Sequence, residues 1–414
     1  MHAQVRNMEN MIIKDGKLRV VWITSAYPSE LQPSSGVFHE TQVHALKRLG
    51  VEVTVICPVP RNLALFRMLK KQYQLQEDLP LRYNRKGVVV HRPRYTALPG
   101  QLRWFQPDKR IATVVLETME KENIQADLLH AHFAMPSGGA AKRVATEKKL
   151  PWVLTLHGSD VNVYPHYSPM AKRSFLQSVQ AADQVFAVGK SLASQTNTMA
   201  GRVPTVLPIG VDLSKFRPPE QSKRLLRKLL ELPQEKKLLT FVGRLTEAKG
   251  VFELAEALQH LPEEVGVVFV GDGPAKEKLK QHPELNARLF LPGAIENARV
   301  KDYLGASDAF VLPSYTEGMP TVVIEALALK LPVICSNVGS VPDLFGDHQN
   351  LLIEPKSVPT LAKRVHEVLY ENTYPENVRQ ELYQRIQQNY HVDDNARELL
   401  RYYQFIQDKK SVLG

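Results

Sequence analysis

Short apolar runs alternate with stretches of helical periodicity from Arg19 almost to the C-terminus. The runs are apolar throughout, as strands of a parallel sheet are when helices cover both faces. In the first half the pattern predicts strands at 18–24, 51–57, 87–91, 126–131, 152–157, 184–188 and 203–208, with helices at 37–49, 107–123, 137–149, 168–181 and 190–200. It then restarts, with strands at 238–243, 265–270, 288–291, 308–312 and 332–335 and helices at 249–260, 274–281, 296–305, 320–329 and 357–371. A repeated β–α alternation predicts an α/β fold of two Rossmann-like domains rather than one long sheet. The join falls near 209–236, where IGVDLSKFRPPEQ supplies a glycine, a proline pair and polar residues. The expected division is 1–212, 213–390 and a final helical segment at 391–414.

Composition alters this picture little and charge alters it more. A chain of 414 residues is long enough for two proper cores. Its two cysteines, Cys57 and Cys335, lie in separate strand-like runs and read as buried thiols, which fits a reducing compartment. MHAQVRNMENMIIKDGK has no apolar core of a signal peptide, and no run of 18 apolar residues follows, so a cytoplasmic protein without a membrane span is expected. Residues 1–212 carry 27 Lys+Arg against 16 Asp+Glu, an excess of +11, while 213–414 carry 26 against 27. Within 58–110 there are 12 basic and 3 acidic residues, interleaved with Leu63, Leu65, Phe66, Met68, Leu69, Leu98, Trp104 and Phe105. A solvated charged face is the ordinary meaning of such a run. The interleaved apolar residues favour peripheral contact with an anionic membrane surface. No nucleic-acid motif occurs, and nucleic acid is not an expected partner.

The candidate chemistry centres on 311–333, VLPSYTEGMPTVVIEALALKLPV. A buried strand delivers a loop, and Pro320 is placed to open a helix at its first position. Two glutamates flank that turn, Glu317 in the loop and Glu325 in the helix. On one continuous helix they would lie roughly 80° apart, but the helix starts after Glu317, so both can face one crevice. Gly318, Met319 and the free N–H groups of Thr321 and Val322 lie between them, and a helix start is a natural anion site. Such sites sit at the carboxyl ends of strands in open α/β sheets. The reading is phosphate on the helix start with a carboxylate on either side for hydroxyls. In FVGRLTEAKG (241–250), Arg244 and Lys249 are spaced to aim a fork and a point charge at one pyrophosphate. VGDGP (270–274) lacks the G-x-G-x-x-G of a nicotinamide loop. LHAHFAMPSGG (129–139) holds His130 and His132, which read as packed strand-end histidines, since no carboxylate or cysteine stands at metal-ligand spacing. In LTLHGSD (154–160), a strand delivers His157 to its carboxyl end, with Asp160 as either a cap or a substrate contact. SAYPSELQPSSGVF (25–38) is a strand-to-helix loop whose Gly36 lets the backbone approach a ligand.

EGMPTVVIE matches the E-x7-E signature of the family 4 retaining glycosyltransferases, and the resemblance runs from Arg19 to about Leu400. VVWITSAYPSE, GVFHETQVHALKRLG, LHAHFAMPSGGAA and VLTLHGSDVNVYPHYS most resemble the branch of teichuronic acid biosynthesis. The resemblance implies the GT-B fold, an active site in the cleft between the domains, and a last helix, 391–408, that crosses back to the first domain. It implies that the Gly36 loop meets the donor diphosphate, although many relatives have two glycines where this chain has Ser35-Gly36. It further implies that His157 contacts the donor sugar near the reacting carbon, and that the 292–296 turn, PGAIE, holds the nucleotide base. The implied reaction is retaining transfer from a UDP-sugar to a glycan or lipid-linked acceptor. With no Asp-x-Asp motif in the chain, a metal-free site is expected, in which cations and a helix dipole neutralise the leaving group. His157 and Glu317 are the candidate catalytic residues. Gly36, Asp160, Arg244, Lys249, Gly318, Met319, Thr321, Val322 and Glu325 are the candidate substrate-binding ones. A nucleotide-sugar epimerase and a silent sugar-binding scaffold are the rivals; the second predicts loss of Arg244, Lys249, Glu317 or Glu325, and all four are present.

Overall fold

The computed structural model describes residues 17–61, 80–97, 107–217 and 221–413. The chain divides into two compact units: 1–209 together with 393–414, and 210–392.

The first unit is built on an eight-stranded sheet. Its strands are β1 (Arg19–Ile23), β2 (Glu52–Ile56), β4 (Arg82–Arg85), β5 (Val88–His91), β7 (Leu128–His132), β8 (Trp152–Leu156), β9 (Gln184–Ala187) and β10 (Thr205–Val206). A separate pair joins β3 (Val59–Arg61) to β6 (Arg94–Thr96). The order in the sheet is β10-β9-β8-β7-β1-β2-β5-β4, and every pairing is parallel except β4 with β5. β1 is central, and Val20 to Ile23 are buried, which is why it reads as an unbroken apolar run. The helices are α1 (Val37–Arg48), α2 (Pro107–Lys121), α3 (Gly139–Lys148), the single turn α4 (Ser159–Asn162), α5 (Pro169–Ala181) and α6 (Lys190–Ala200).

Two expectations change here. The strand foreseen at 203–208 shrinks to two residues, because Pro204 and Pro208 bracket it and cannot donate to a ladder. The antiparallel edge strand β4 escaped the pattern altogether: RYNR carries no apolar signal and is held by its backbone.

The second unit has a five-stranded, wholly parallel sheet in the order β13-β12-β11-β14-β15. These are β11 (Lys237–Val242), β12 (Val265–Val270), β13 (Leu289–Gly293), β14 (Ala309–Leu312) and β15 (Val333–Cys335). Its helices are α7 (Lys223–Leu229), α8 (Val251–Ala257), α9 (Lys276–Leu279), α10 (Val300–Gly305), α11 (Thr321–Ala328), α12 (Val341–Phe345), α13 (Val358–Tyr370) and α14 (Glu376–Asn389). α11 is apolar on most sides and buries Val323 to Ala328 in the core. Pro320 is its N-cap, with ψ 107°, rather than its first helical residue. The helix foreseen at 249–260 begins only at Val251, because Gly250 takes φ 69° and breaks from the preceding turn. The polar α14 was not foreseen; it buries only Leu382 and Ile386.

The last helix, α15 (Val392–Leu413), belongs from Asp393 onward to the first unit. Leu399, Tyr402, Tyr403 and Ile406 are buried. Tyr402 stacks edge-on to Phe186 of β9, Gln407 donates to the carbonyl of Asp127, and Asp393 pairs with Arg48. The expected return of the C-terminal segment to the first domain is therefore present.

Candidate active site

In the first unit the candidate residues gather at the carboxyl ends of β1, β7 and β8. Parallel pairing sets His132 of β7 opposite Thr155 of β8, so the chain leaving β8 presents His157 beside it. His132 Nδ1 lies 3.0 Å from His157 Nε2. His130, two residues back on the same face of β7, is satisfied at both nitrogens, by Tyr403 Oη at 2.5 Å and Thr155 Oγ1 at 2.8 Å. His39, from the first turn of α1, completes the group, with Nε2 3.1 Å from Thr24 Oγ1. Gly36 caps α1 at φ 71°, and a Cβ there would stand 2.6 Å from the carbonyl oxygen of Ala26. No side chain fits, so the 25–38 loop folds back on itself, and this packing alone requires a glycine at 36.

Asp160 is fully buried. Its carboxylate accepts from the backbone N–H of Ala134 (2.9 Å), His157 (3.0 Å) and Gly158 (2.9 Å). The helix that follows has no side-chain cap; Asp160 instead pins the preceding turn, the one that carries His157. Burial raises its carboxyl above the ordinary value while the three N–H groups oppose that rise. Burial drives the four histidines the other way. His39, His130 and His132 fall well below the usual imidazole range, and His157 falls to about 3. His157 is thus a neutral imidazole at physiological pH, and any charge it stabilises it meets as a dipole, not as a cation. His39, His132 and His157 each bring a nitrogen within 4.8 Å of the others, the proximity a metal would need. Two of them already share a hydrogen bond, and we read the set as a hydrogen-bonded cluster.

In the second unit, Lys249 and Glu317 meet. Lys249 Nζ donates to Glu317 Oε1 at 2.6 Å, with the carboxylate buried and the ammonium partly open. The two loops that carry them interlock. A Cβ on Gly250 would stand 2.1 Å from the carbonyl oxygen of Pro313, and one on Gly339 would stand 1.9 Å from that of Glu317. Tyr315 N–H also donates to the carbonyl of Ala248 (2.9 Å), and Ser340 N–H to that of Gly318 (3.0 Å). Arg244 is exposed on the same β11–α8 connection and makes no hydrogen bond to the described residues. Glu325 lies in the second turn of α11, and burial raises its carboxyl to about 8. Thr321 and Val322 sit half-buried at the start of that helix, which has neither a side-chain cap nor an acidic residue in its first turn. Val323 N–H already donates to the Pro320 carbonyl (3.1 Å), which leaves the N–H groups of Thr321 and Val322 and the positive dipole end for an anion.

The glycines of VGDGP prove to be packing residues. A Cβ on Gly271 would stand 1.9 Å from the carbonyl oxygen of Gly243, and one on Gly273 would stand 2.3 Å from that of Leu245. Pro292 and Gly293 end β13 rather than form a turn, and Gly293 accepts from Gly271 N–H at 2.9 Å. His39, Thr24, Thr155 and Tyr403 join the histidine cluster from elements far apart in the chain, where motif spacing does not mark them. Ser314 and Ser340 carry no motif signal either, and their hydroxyls are buried beside the Glu317 loop without a partner among the described residues. The alternation in LHAH was a usable signal, since it places both histidines on one strand face.

Comparison with known proteins matches residues 36–215 to the model of "Glycosyltransferase Family 4" and residues 222–389 to that of "Glycosyl transferases group 1". A Bacillus subtilis (strain 168) protein named as a teichuronic acid biosynthesis glycosyltransferase, TuaC, is 49% identical over 389 residues, which is 94% of this chain and 99% of that protein. Sucrose-phosphate synthase from Thermosynechococcus elongatus superposes with a TM-score of 0.75 at 19% identity, over 94% of this chain and 99% of that one. Anabaena HepE in complex with UDP-glucose gives 0.68 at 19% identity, over 95% and 100%. These two likenesses concern the fold, and they agree with two parallel α/β units and a returning helix. The chain belongs to the family 4 glycosyltransferases and has their GT-B fold.

Proposed function

We propose that this glycosyltransferase moves a sugar, with retention of anomeric configuration, from a UDP-sugar to a glycan or lipid-linked acceptor of an anionic cell-envelope polymer such as teichuronic acid. The observation that carries the donor half is the interlocked Lys249–Glu317 pair beside the uncapped start of α11, with Glu325 one turn further on. In this reading Arg244, Lys249, the Gly36 loop and the amides of 318–322, with Met319 among them, hold the diphosphate. Glu325 accepts from the ribose hydroxyls. Glu317, oriented by Lys249, takes hydroxyls of the donor sugar, and His157 serves that sugar as a neutral hydrogen-bonding group. Asp160 contributes by holding His157 rather than by touching substrate. Lysine, arginine and the helix dipole neutralise the leaving UDP, so no metal is required. The donor phosphate itself takes the acceptor proton. The HepE complexes with UDP and UDP-glucose support the choice of nucleotide by analogy, and the name of the Bacillus relative supports the choice of polymer.

The basic segment 58–110 suits peripheral association with an anionic inner membrane face; its apolar residues Leu63, Leu65, Phe66, Met68, Leu69, Leu98, Trp104 and Phe105 lie outside the described residues. No helix among the described residues is long and apolar enough to cross a membrane.

The test is UDP release from a panel of UDP-sugars, with and without membrane lipid extract and EDTA, followed by proton NMR of the product's anomeric centre. Release from one donor that needs the extract, ignores EDTA and retains configuration is expected. Inversion, or loss of activity in EDTA, contradicts the mechanism. Conversion of the donor without transfer would favour an epimerase.

A further inference from the structure

The cluster around His157 holds an asymmetry that its packing leaves unexplained. His132 is fully buried, with Trp22, His130 and His39 at ring-centroid distances of 4.0, 4.1 and 4.5 Å. Its Nδ1 reaches His157 Nε2 at 3.0 Å, and its Nε2 has no partner among the described residues. The shared proton has two possible homes. If His157 Nε2–H donated to His132 Nδ1, a neutral His132 would carry its own proton on Nε2, a buried N–H without a partner among the described residues. If His132 Nδ1–H donates, the orphan is only a bare lone pair. Buried donors without acceptors are the rarer and costlier defect, so the second arrangement is favoured.

His39 repeats the pattern independently. Thr24 Oγ1 donates to the carbonyl of Ala26 (3.3 Å) and therefore accepts from His39 Nε2–H (3.1 Å). The unpartnered His39 Nδ1 is then again a lone pair and not an N–H. His130 cannot compete for the shared proton, because Tyr403 and Thr155 engage both its nitrogens.

We propose that His132 is a positioning residue that fixes the tautomer of His157, so that His157 turns an Nδ1–H donor toward the sugar donor. This rests on the reading above that His157 serves the donor substrate. With Nε2 occupied by His132, the ring offers its substrate a proton to share and no lone pair. It can donate to a hydroxyl, ring or phosphate oxygen of the donor, and it cannot act as base toward the acceptor. The proton transfer to the donor phosphate thereby loses its one imidazole competitor in this cluster. Fixing a ring through the hydrogen bond on its far nitrogen is also how histidine is oriented in other polar sites.

The experiment uses the full chain, labelled with 15N-histidine, and long-range 1H–15N correlation. His157→Gln assigns the His157 signals among the thirteen histidines. The expected spectrum shows His157 protonated at Nδ1 and bare at Nε2; the reverse overturns the proposal whatever the activity. His132→Phe keeps a ring and removes the donor. It should leave His157 a mixture of tautomers and lower kcat for UDP release roughly tenfold or more, on the scale of lost outer-sphere partners, with KM near wild type. His132→Asn places an amide N–H where Nδ1–H stood and should restore both tautomer and kcat. If His132→Phe fails to fold, His132→Asn alone decides: a retained Nδ1–H form supports the proposal and a mixture refutes it. An Nδ1–H tautomer in a protein whose His157→Gln variant keeps full activity would instead sink the donor reading on which the proposal rests.

Discussion

At the scale of single residues, the two carboxylates of the E-x7-E stretch are unlike. Glu317 is a carboxylate held by Lys249 at 2.6 Å, while Glu325 is buried and its carboxyl is raised from 4.5 to about 8. A folded chain therefore keeps a proton on Glu325 between about pH 4.5 and 8 that the unfolded chain gives up. The unfolded state binds fewer protons there, so this group makes stability fall as pH rises through that window and level off above it. Glu325→Gln, which removes the ionisation, should flatten that part of the profile and raise stability near pH 8.5 by about 1–3 kcal/mol, the scale of an uncompensated buried polar group. It should also weaken UDP binding at pH 8.5, where Glu325 is ionised, because the amide is a poorer acceptor for two hydroxyls than a carboxylate. Urea denaturation at pH 5 and pH 8.5, with UDP calorimetry on both proteins, checks the two halves. A variant no more stable than wild type at pH 8.5 would contradict the burial argument.

At the scale of elements, three strand-to-helix turns of the second unit are locked together by glycines. Gly250 at φ 69° packs its α-carbon against Pro313, which ties the loop bearing Arg244 and Lys249 to the loop bearing Glu317. Gly250→Ala must either push the Pro313 carbonyl away or abandon the left-handed conformation. We expect a loss of about 2–4 kcal/mol, the upper range for backbone strain and overpacking, together with a loss of UDP affinity that Gly201→Ala does not cause. Gly201 has φ 63° but nothing within 4 Å of its would-be Cβ. Thermal melts of both variants separate the cost of the dihedral from the cost of the clash. The elements themselves were largely legible, because a strand buried on both faces writes a continuous apolar run. β4 and α14 were not, since an edge strand of RYNR and a helix burying only Leu382 and Ile386 give almost no apolar period. Lys249 and Glu317 could be nominated from their loops, but the 2.6 Å contact between them could not, for it depends on Gly250 reaching Pro313. The histidine cluster was half-legible: LHAH and LTLHGSD mark two strand ends, whereas His39 and Tyr403 arrive from helices that sequence spacing cannot dock.

At the scale of the whole molecule, charge and chemistry are divided between the two halves. The basic excess lies in residues 1–212, and the Lys249, Glu317 and Glu325 set lies in 210–392, a nearly neutral stretch. That division suits a transferase in which one part meets an anionic acceptor at a charged surface and the other grips a nucleotide. The family and the fold place the protein among enzymes that transfer sugars; we propose that Lys249 and Glu317 make it transfer from a UDP-sugar. The most direct measurement is incorporation of radiolabel from the preferred UDP-sugar into a lipid-extracted acceptor, for wild type, Lys249→Ala and Glu317→Gln. Label should enter the acceptor with wild type and fall by about a hundredfold or more in each variant, the scale of removing one preorganised charge from a reacting site. Label transferred undiminished by either variant, or from a nucleotide other than UDP, would contradict it.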